Sequence, residues 1–483
     1  MLIVTTRSEC SGDLWSRRGL LRACGLSSLA WLSTERSGNS AARPETSPES
    51  PPGWGRAKSV ILVYTSGGQS QLETWDPKPA APLEIRGEFS AIPTSVPGTI
   101  VGEHLPRLAQ LAHRFCIVRS VSHDDLDHGS ASYLTLTGRF HPIRSSNPPA
   151  RATDFPCFGA VLNRIQAPER FPYNAVHVNG PVLVPEEPAP GQDGGFLGRE
   201  FEPLVVGDVS GVKVAVPCLD AVPGLPGFRL AAREDLRIAL DAAVRDAGGA
   251  KALDSRQTTN SDLAYQQAFE MLATPRCRQA FDIAAEPVRV RNRYGRHRPG
   301  QACLMARRLV EAGVPLITVM WNHSIRGQDR APEQTEQYGW DTHNDIFAAL
   351  KGHLLPRFDE SFSALLEDLD DRQLLNDTLV ICLGEFGRAP LVAREPGFAG
   401  NSPGRKHWAS VYSIVVAGAG VTPGAVLGAS DKIAAQPVSQ RVGPDDVAAT
   451  IYWALGIDPS GHFHDAVDRP FPIATGQPIT GLW

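Results

Sequence analysis

Four runs of consecutive apolar and β-branched residues, each ending in a dense polar stretch, constrain this chain more than any other feature. Ser59-Val60-Ile61-Leu62-Val63-Tyr64 leads into the polar stretch 66–76, and Phe115–Val121 leads into 123–132. Val314–Met320 precedes Trp340-Asp341-Thr342-His343-Asn344-Asp345 across a polar loop, and Thr378–Leu383 ends at Gly384-Glu385-Phe386-Gly387-Arg388. An apolar run without polar alternation reads as a strand buried on both faces, the setting of a parallel sheet covered by helices. Segments with helical spacing lie between the runs. Glu103 to His113 carries Leu105, Leu108 and Leu111, and Gly300 to Ala312 ends at Gly313, a fitting left-handed helix stop. Ile346 to Asp371 carries Phe347, Leu350, Leu354, Phe358, Phe362 and Leu365, one amphipathic face for a sheet to bury. A later apolar run, Val411 to Ala417, is followed by a helix from Pro444 to Leu455 with Asp445 and Asp446 in its first turn. The alternation predicts an α/β fold built on a doubly wound parallel sheet.

Composition narrows the function classes. At 483 residues the chain can hold one large domain or two ordinary ones. The formal net charge of −5 leaves no basic footprint for nucleic acid, and no apolar stretch reaches the roughly 18 residues of a membrane span, so no integral membrane domain is expected. Forty-five Gly and 40 Pro predict many long loops. The regular pattern loosens between about residues 141 and 299, where Pro-rich stretches recur (142–156, 181–190, 217–226), read as a large loop-rich insertion packed beside the sheet. Within it, helix is expected from Leu230 to Ala247 and from Leu263 to Leu272. Gly191 to Arg199, with four glycines round Asp193, reads as a tight loop, either an ordinary turn or part of a site. The eight cysteines show no C-x-x-C spacing, which rules out a zinc ribbon. Cys116 and Cys382 sit in apolar runs, where inert buried thiols are usual; pairing among the rest stays open.

The first 56 residues have a different character. Ser16-Arg17-Arg18-Gly19-Leu20-Leu21-Arg22 resembles the twin-arginine export motif and precedes a short, weakly apolar segment from Ala23 to Leu32. Residues 1–42 are read as this signal and 43–56, rich in Ser, Pro, Glu and Gly, as a disordered linker before a domain spanning 57–483. The motif implies a periplasmic or extracellular protein.

In an open parallel sheet the loops after the strands converge on one edge, so four loops from distant sequence can build one pocket. The densest of them, Ser122-His123-Asp124-Asp125-Leu126-Asp127-His128-Gly129-Ser130, opens a helix; a single helix cap needs only one such residue. Asp341 and His343 alternate round Thr342, so in an extended loop both side chains point one way. Glu385 ends a buried strand, as a ligand, a base or a partner of Arg388, and His407 must reach in from a longer loop. Asp124, Asp341, His343, Glu385 and His407 are the candidate metal ligands. Asp127 and His128 would supply further ligands or acid–base function. Ser130 is the best-placed hydroxyl nucleophile, and Arg139, Arg405 and Lys406 are candidates to hold an anion. Oxygen and imidazole ligands without thiolates suit zinc, manganese, magnesium or calcium, and such an ion serves ester hydrolysis.

Taken together, the twin-arginine segment, Ser66-Gly67-Gly68-Gln69-Ser70-Gln71-Leu72-Glu73-Thr74-Trp75-Asp76, His123–Ser132, Trp340–His343, Gly384–Arg388 and His407-Trp408 resemble an exported bacterial sulfatase-like family of unknown function in the alkaline phosphatase-like superfamily. The resemblance implies a three-layer sandwich with a central, mostly parallel sheet. Leu136-Thr137-Gly138-Arg139 is similar to the run that follows the sulfatase nucleophile motif, which puts His128 where the nucleophilic Cys or Ser would stand. By the same similarity Glu385 replaces a metal-binding Asp, Phe386 replaces the neighbouring ligand, and Ser66-Gly67-Gly68 stands where sulfatases carry paired Asp. Asp341, His343 and His407 are similar in order to the ligands of one alkaline phosphatase metal site.

Two functions follow as expectations. One is an exported metal-dependent hydrolase of sulfate or phosphate esters, acting on an anionic small molecule or a polysaccharide ester. The other is a catalytically degenerate binding protein for a polysaccharide or a protein partner.

Overall fold

The computed structural model describes residues 50–184, 186–211, 214–216, 236, 239, 240, 267–272, 274–325 and 339–483. Eight strands form the main sheet: β1 (Ser59–Tyr64), β2 (Phe115–Val121), β3 (Ala175–Val178), β4 (Leu204–Val206), β5 (Leu316–Met320), β6 (Thr378–Leu383), β7 (Tyr412–Ala417) and β8 (Val426–Leu427). Their order is β8-β2-β7-β6-β1-β5-β3-β4. β1 lies inside the sheet, parallel to β5 on one side and to β6 on the other. β7 runs antiparallel to both its neighbours, β2 and β6; the remaining pairs are parallel. This is a mixed α/β fold with a large, mostly parallel central sheet, as the alternation of runs predicts.

The uniform apolarity of the strands follows from burial on both faces. Ile61 and Val63 of β1 enter one hydrophobic core, which contains Leu304 and Leu309 of helix α3 (Arg298–Ala312) and Phe358 and Leu365 of α4 (Leu355–Asp371). Val60, Leu62 and Tyr64 enter the other. That core holds Leu136 of α1 (His128–Thr137), Val161 of α2 (Phe158–Ile165) and Ile451 of α5 (Pro444–Ala454). Helices therefore cover both faces, giving three layers. α3 stops at Gly313 with φ 89°, the left-handed cap its sequence predicts. No described helix is long and apolar enough to cross a membrane.

Three expectations are corrected. The segment 141–299 is not simply an insertion beside the sheet, because α2, β3 and β4 fall within it and the two strands extend the sheet edge. They are only four and three residues long and lie among prolines, too short to show a period. The linker does not reach residue 56: the amide of Ala57 donates to Ala454 O, that of Gly55 donates to Trp453 O, and Trp54 meets Trp453 edge-on with ring centroids 4.6 Å apart. The single helix from Ile346 to Asp371 is divided by a π-helical turn over Leu350–Leu354. Pro356 follows immediately and has no N–H for the carbonyl four residues back, so the α-helical ladder breaks there. The twin-arginine segment and nearly all of the helix expected from Leu230 to Ala247 lie outside the described residues; 267–272 are helical.

One aromatic cluster links α4 to the loops at the strand ends. Trp75, Trp321 and Trp340 pack round Phe358 with centroid separations of 6.0, 5.1 and 5.6 Å. Trp75 belongs to the loop after β1, Trp321 and Trp340 to the segment between β5 and α4, and all four rings are buried. Replacing Phe358 with Ala removes the common packing partner of three tryptophans from two loops. The expected loss is about 3–5 kcal/mol of stability, read from denaturant unfolding, with no change in the unfolding slope.

Candidate metal centre

Four polar stretches meet beyond the strand ends. The stretch after β2 runs into α1, whose first residue is His128. Glu385 follows β6 directly, and a two-stranded ribbon pairs Gly387-Arg388 with His407-Trp408, bringing His407 back over the same edge. Asp341 and His343 come from the segment between β5 and α4. The loop after β1 closes the group at Gly67, where φ is 108° and an added Cβ would lie 2.5 Å from the Asp341 amide nitrogen, so only glycine fits.

His128, Asp341, His343 and His407 each offer one ligand atom, and these atoms lie within 4.8 Å of one another. Asp341 Oδ1 is at the middle: 3.1 Å from His128 Nε2, 2.9 Å from His343 Nε2 and 3.2 Å from His407 Nε2. His343 Nε2 and His407 Nε2 are 2.8 Å apart. Ligands held at roughly 2.0–2.1 Å round a tetrahedral ion stand roughly 3.3–3.4 Å from each other, a spacing close to the contacts of 2.8–3.2 Å within this cluster.

The outer nitrogens show which way the lone pairs point. His128 Nδ1 is 2.6 Å from Glu385 Oε1, His343 Nδ1 is 2.5 Å from Glu395 Oε2, and His407 Nδ1 is 2.6 Å from Leu126 O. All three partners accept, so all three Nδ1 atoms donate and, in the neutral rings, all three Nε2 lone pairs face inward. Buried His128 Nε2 has Asp341 Oδ1 as its nearest polar neighbour, at 3.1 Å. Inward-facing imidazole lone pairs beside a carboxylate are satisfied together by a divalent cation, and an acceptor behind each imidazole is the usual support of a metal-binding histidine. The donor set of three imidazoles and one carboxylate therefore fits a metal.

The electrostatics agree. Burial opposes charge on His128, but Asp341 and Glu385 outweigh it and raise the imidazole to about 9. Burial and then the charge of His128 push His407 down to about 4. Burial also opposes charge on Asp341, yet His128 and Arg388 hold it well below the usual carboxylate range. Asp341 is thus kept ionised beside the three imidazoles.

The surroundings are rigid. Glu385 is fully buried; its oxygens accept from the Gly67 amide at 2.8 and 3.0 Å and from the Tyr64 hydroxyl at 3.3 Å. Burial, then Glu385, keeps Tyr64 well above the ordinary phenol range, so it remains a donor. His123 donates from Nε2 to Glu385 O at 2.6 Å and accepts the Asp125 amide at Nδ1, which makes it a neutral clamp rather than a ligand. Buried Arg388 donates to Asp341 Oδ1 at 2.7 Å, to Gly68 O at 3.1 Å, to Arg405 O at 3.2 Å and to Gly67 O. Phe386 lies against His128 and His407 with centroids 4.8 and 4.7 Å away, an apolar wall on one side. Asp341 and His407 side chains are 15% and 18% exposed against 4% and 5% for His128 and His343, so the cluster meets solvent on their side.

Of the residues singled out from the sequence, the structure brings Asp341, His343, His407 and His128 together. Glu385 stands behind His128, with its oxygens occupied there. Asp124 points into solvent, 3.0 Å from Arg144. Asp127 precedes α1 and accepts from the Ser146 hydroxyl at 3.0 Å. Ser130 is buried one turn along and accepts the Ser145 amide at 3.2 Å, away from the cluster. Arg139 lies past the far end of α1, donating to Pro472 O at 2.7 Å. Arg405 is buried against Glu73 at 2.6 Å, and only Lys406 of the three cationic candidates near the site is well exposed. The Gly191–Arg199 loop packs on Tyr133 and Thr137 of α1, outside the cluster. Sequence reasoning missed Tyr64 and Glu395; neither sits in a motif whose spacing suggests contact with a histidine. A cavity of about 580 Å³ opens at the opposite ends of β1 and β6, beside Ser59 and Thr378, remote from this chemistry.

Several solved structures are similar to this chain at low identity. Ps i-CgsB in complex with k-i-k-neocarrahexaose is 11% identical, with 85% of this chain and 73% of that one covered and a TM-score of 0.40. A sulfatase from Pseudoalteromonas is 13% identical over 84% and 68%, TM-score 0.36, and a phosphonate monoester hydrolase from Silicibacter pomeroyi is 12% identical over 87% and 75%, TM-score 0.38. No curated protein matches the sequence. A family model described as "Protein of unknown function (DUF1501)" matches residues 57–483, and the chain belongs to that family.

Proposed function

We propose that this protein is an exported, metal-dependent hydrolase of sulfate or phosphate esters, with His128, Asp341, His343 and His407 as the metal ligands. The observation that carries the reading is the convergence of three imidazole Nε2 atoms on Asp341 Oδ1, with an acceptor behind every ring. Imidazole-rich ligation favours zinc or manganese over magnesium or calcium. Such an ion, when bound, polarises an ester oxygen and acidifies water.

The chain's own groups do the rest. Glu385, Glu395 and Leu126 O fix the three imidazoles in one tautomer. Arg388 keeps Asp341 turned inward and ionised. An anionic ester, small or part of a polysaccharide, approaches from the exposed side of Asp341 and His407, where the Lys406 ammonium offers a counter-charge. His128 occupies the place where the sequence resemblance puts a nucleophile and serves as a ligand, so the attacking oxygen comes from water. The twin-arginine segment supports export of the folded protein.

Ser130 turned toward Ser145 favours a second reading, a metal-bound scaffold that binds a polysaccharide or protein partner without turnover. Full metal loading with no hydrolysis of any sulfate or phosphate ester would select it.

Elemental mass spectrometry on the purified protein should find close to one zinc or manganese per chain, absent from the Asp341→Ala/His343→Ala double variant. A folded native protein without metal would sink the proposal. Glu385→Gln should weaken metal binding about 10–100-fold in a chelator competition, since it removes the charge behind His128 but leaves all four ligands. Replacing Arg17 and Arg18 with Lys should leave the protein inside the cell, as shown by fractionation.

A further inference from the structure

Glu395, the acceptor behind His343, belongs to a surface segment that makes further contacts next to the cluster. Residues 391–404 form a loop whose surface is largely in solvent, with Leu391 53% and Phe398 44% exposed. Little apolar burial holds it down. It is instead attached to the segment 343–345, which carries a metal ligand.

Each of those three residues grips the loop. His343 Nδ1 meets Glu395 Oε2 at 2.5 Å, and the Phe398 ring stacks on the His343 imidazole with centroids 3.6 Å apart and planes 11° off parallel. The Asn344 amide donates to the carbonyls of Glu395, Phe398 and Ala399 at 2.9, 3.1 and 3.1 Å, and its oxygen accepts the Glu395 amide at 2.9 Å. The Asp345 carboxylate accepts the Asn401 and Ser402 amides. Gly400 permits this closeness, since a Cβ there would lie 2.6 Å from Asn344 Cβ. Lys406 Nζ, 3.6 Å from Glu395 Oε1, is the other charge facing the carboxylate.

We propose that Glu395 is a positioning residue for the metal-binding imidazole of His343, and that metal binding in turn fastens the 391–404 loop over the site. A cation on Nε2 requires the proton on Nδ1, and Glu395 accepts that same proton. The cation and the carboxylate therefore select one tautomer and one ring orientation, and each strengthens the other by the same factor. The His343 plane set in this way is also the plane on which Phe398 stacks. The loop, already joined to Asn344 and Asp345, is thereby held more firmly on the His343 side of the cluster when the metal is in place. This rests on the metal-binding reading above and adds to it the coupling between the ion and the loop.

The test uses the full-length exported protein and zinc ions alone. Hydrogen exchange of the wild-type protein, stripped with a chelator and then reloaded, should slow at the Glu395, Asn401 and Ser402 amides by about tenfold or more on zinc addition. In chelator competition Glu395→Ala should bind zinc about 10–100-fold more weakly than wild type, and Glu395→Gln, which keeps an acceptor oxygen, should recover part of that loss. Wild-type protein that binds zinc while the loop amides exchange at an unchanged rate overturns the coupling. Zinc binding by Glu395→Ala at wild-type strength overturns the positioning role. A wild-type protein that takes up no zinc overturns the metal reading itself and this inference with it, a result distinct from the other two. The exchange measurement needs no variant, so poor folding of Glu395→Ala does not protect the idea.

Discussion

The candidate centre depends on the buried guanidinium of Arg388. It is donor to Gly67 O and Gly68 O after β1, to Arg405 O at the base of the ribbon, and to Asp341. One planar group with donors in fixed directions thus sets the separation of three loops that are remote in sequence. A buried cation of this kind is costly unless every donor is satisfied, and here the carbonyls and the carboxylate satisfy it together. Asp341 gains twice: it is held in place, and it is held charged. The imidazoles of His128, His343 and His407 then group round an anion whose position they do not themselves determine.

A second constraint comes from below. The indoles of Trp75, Trp321 and Trp340 rest on Phe358, so the loops that Arg388 joins by polar contacts are also joined by apolar ones on α4. Polar geometry aims the side chains, and the aromatic cluster resists movement of the backbone that carries them. Sites supported in both ways keep ligand positions to within the tolerance that metal binding needs.

Much of this was legible in the residues. The central strands announce themselves because burial on both faces leaves no polar position, and the convergence of the loops follows from parallel strands. Asp341 and His343 stand out by spacing, and His128 by the density of polar groups round it. The role of Glu385 was harder to read. A carboxylate at a strand end looks the same in sequence whether it faces a cation or the back of an imidazole; only the Gly67 amide and His128 Nδ1 decide it. Asp124 has the right chemistry for a ligand but its side chain leaves the loop on the solvent side, toward Arg144. Glu395 was invisible because it lies in an aperiodic loop, and its partner is 52 residues away. β3 and β4 escaped because strands of four and three residues among prolines carry no period.

The cysteines carry a last consequence. Cys116, Cys157, Cys277, Cys303 and Cys382 are all buried and unpaired. Burial raises their thiols, to about 11 in Cys116 and Cys277 and about 12 in Cys157, so the reactive thiolate is scarce at neutral pH. The described part of the fold is complete without any cross-link, and its thiols are withdrawn from oxidants. These five thiols neither require an oxidising compartment to complete the described fold nor react readily in one.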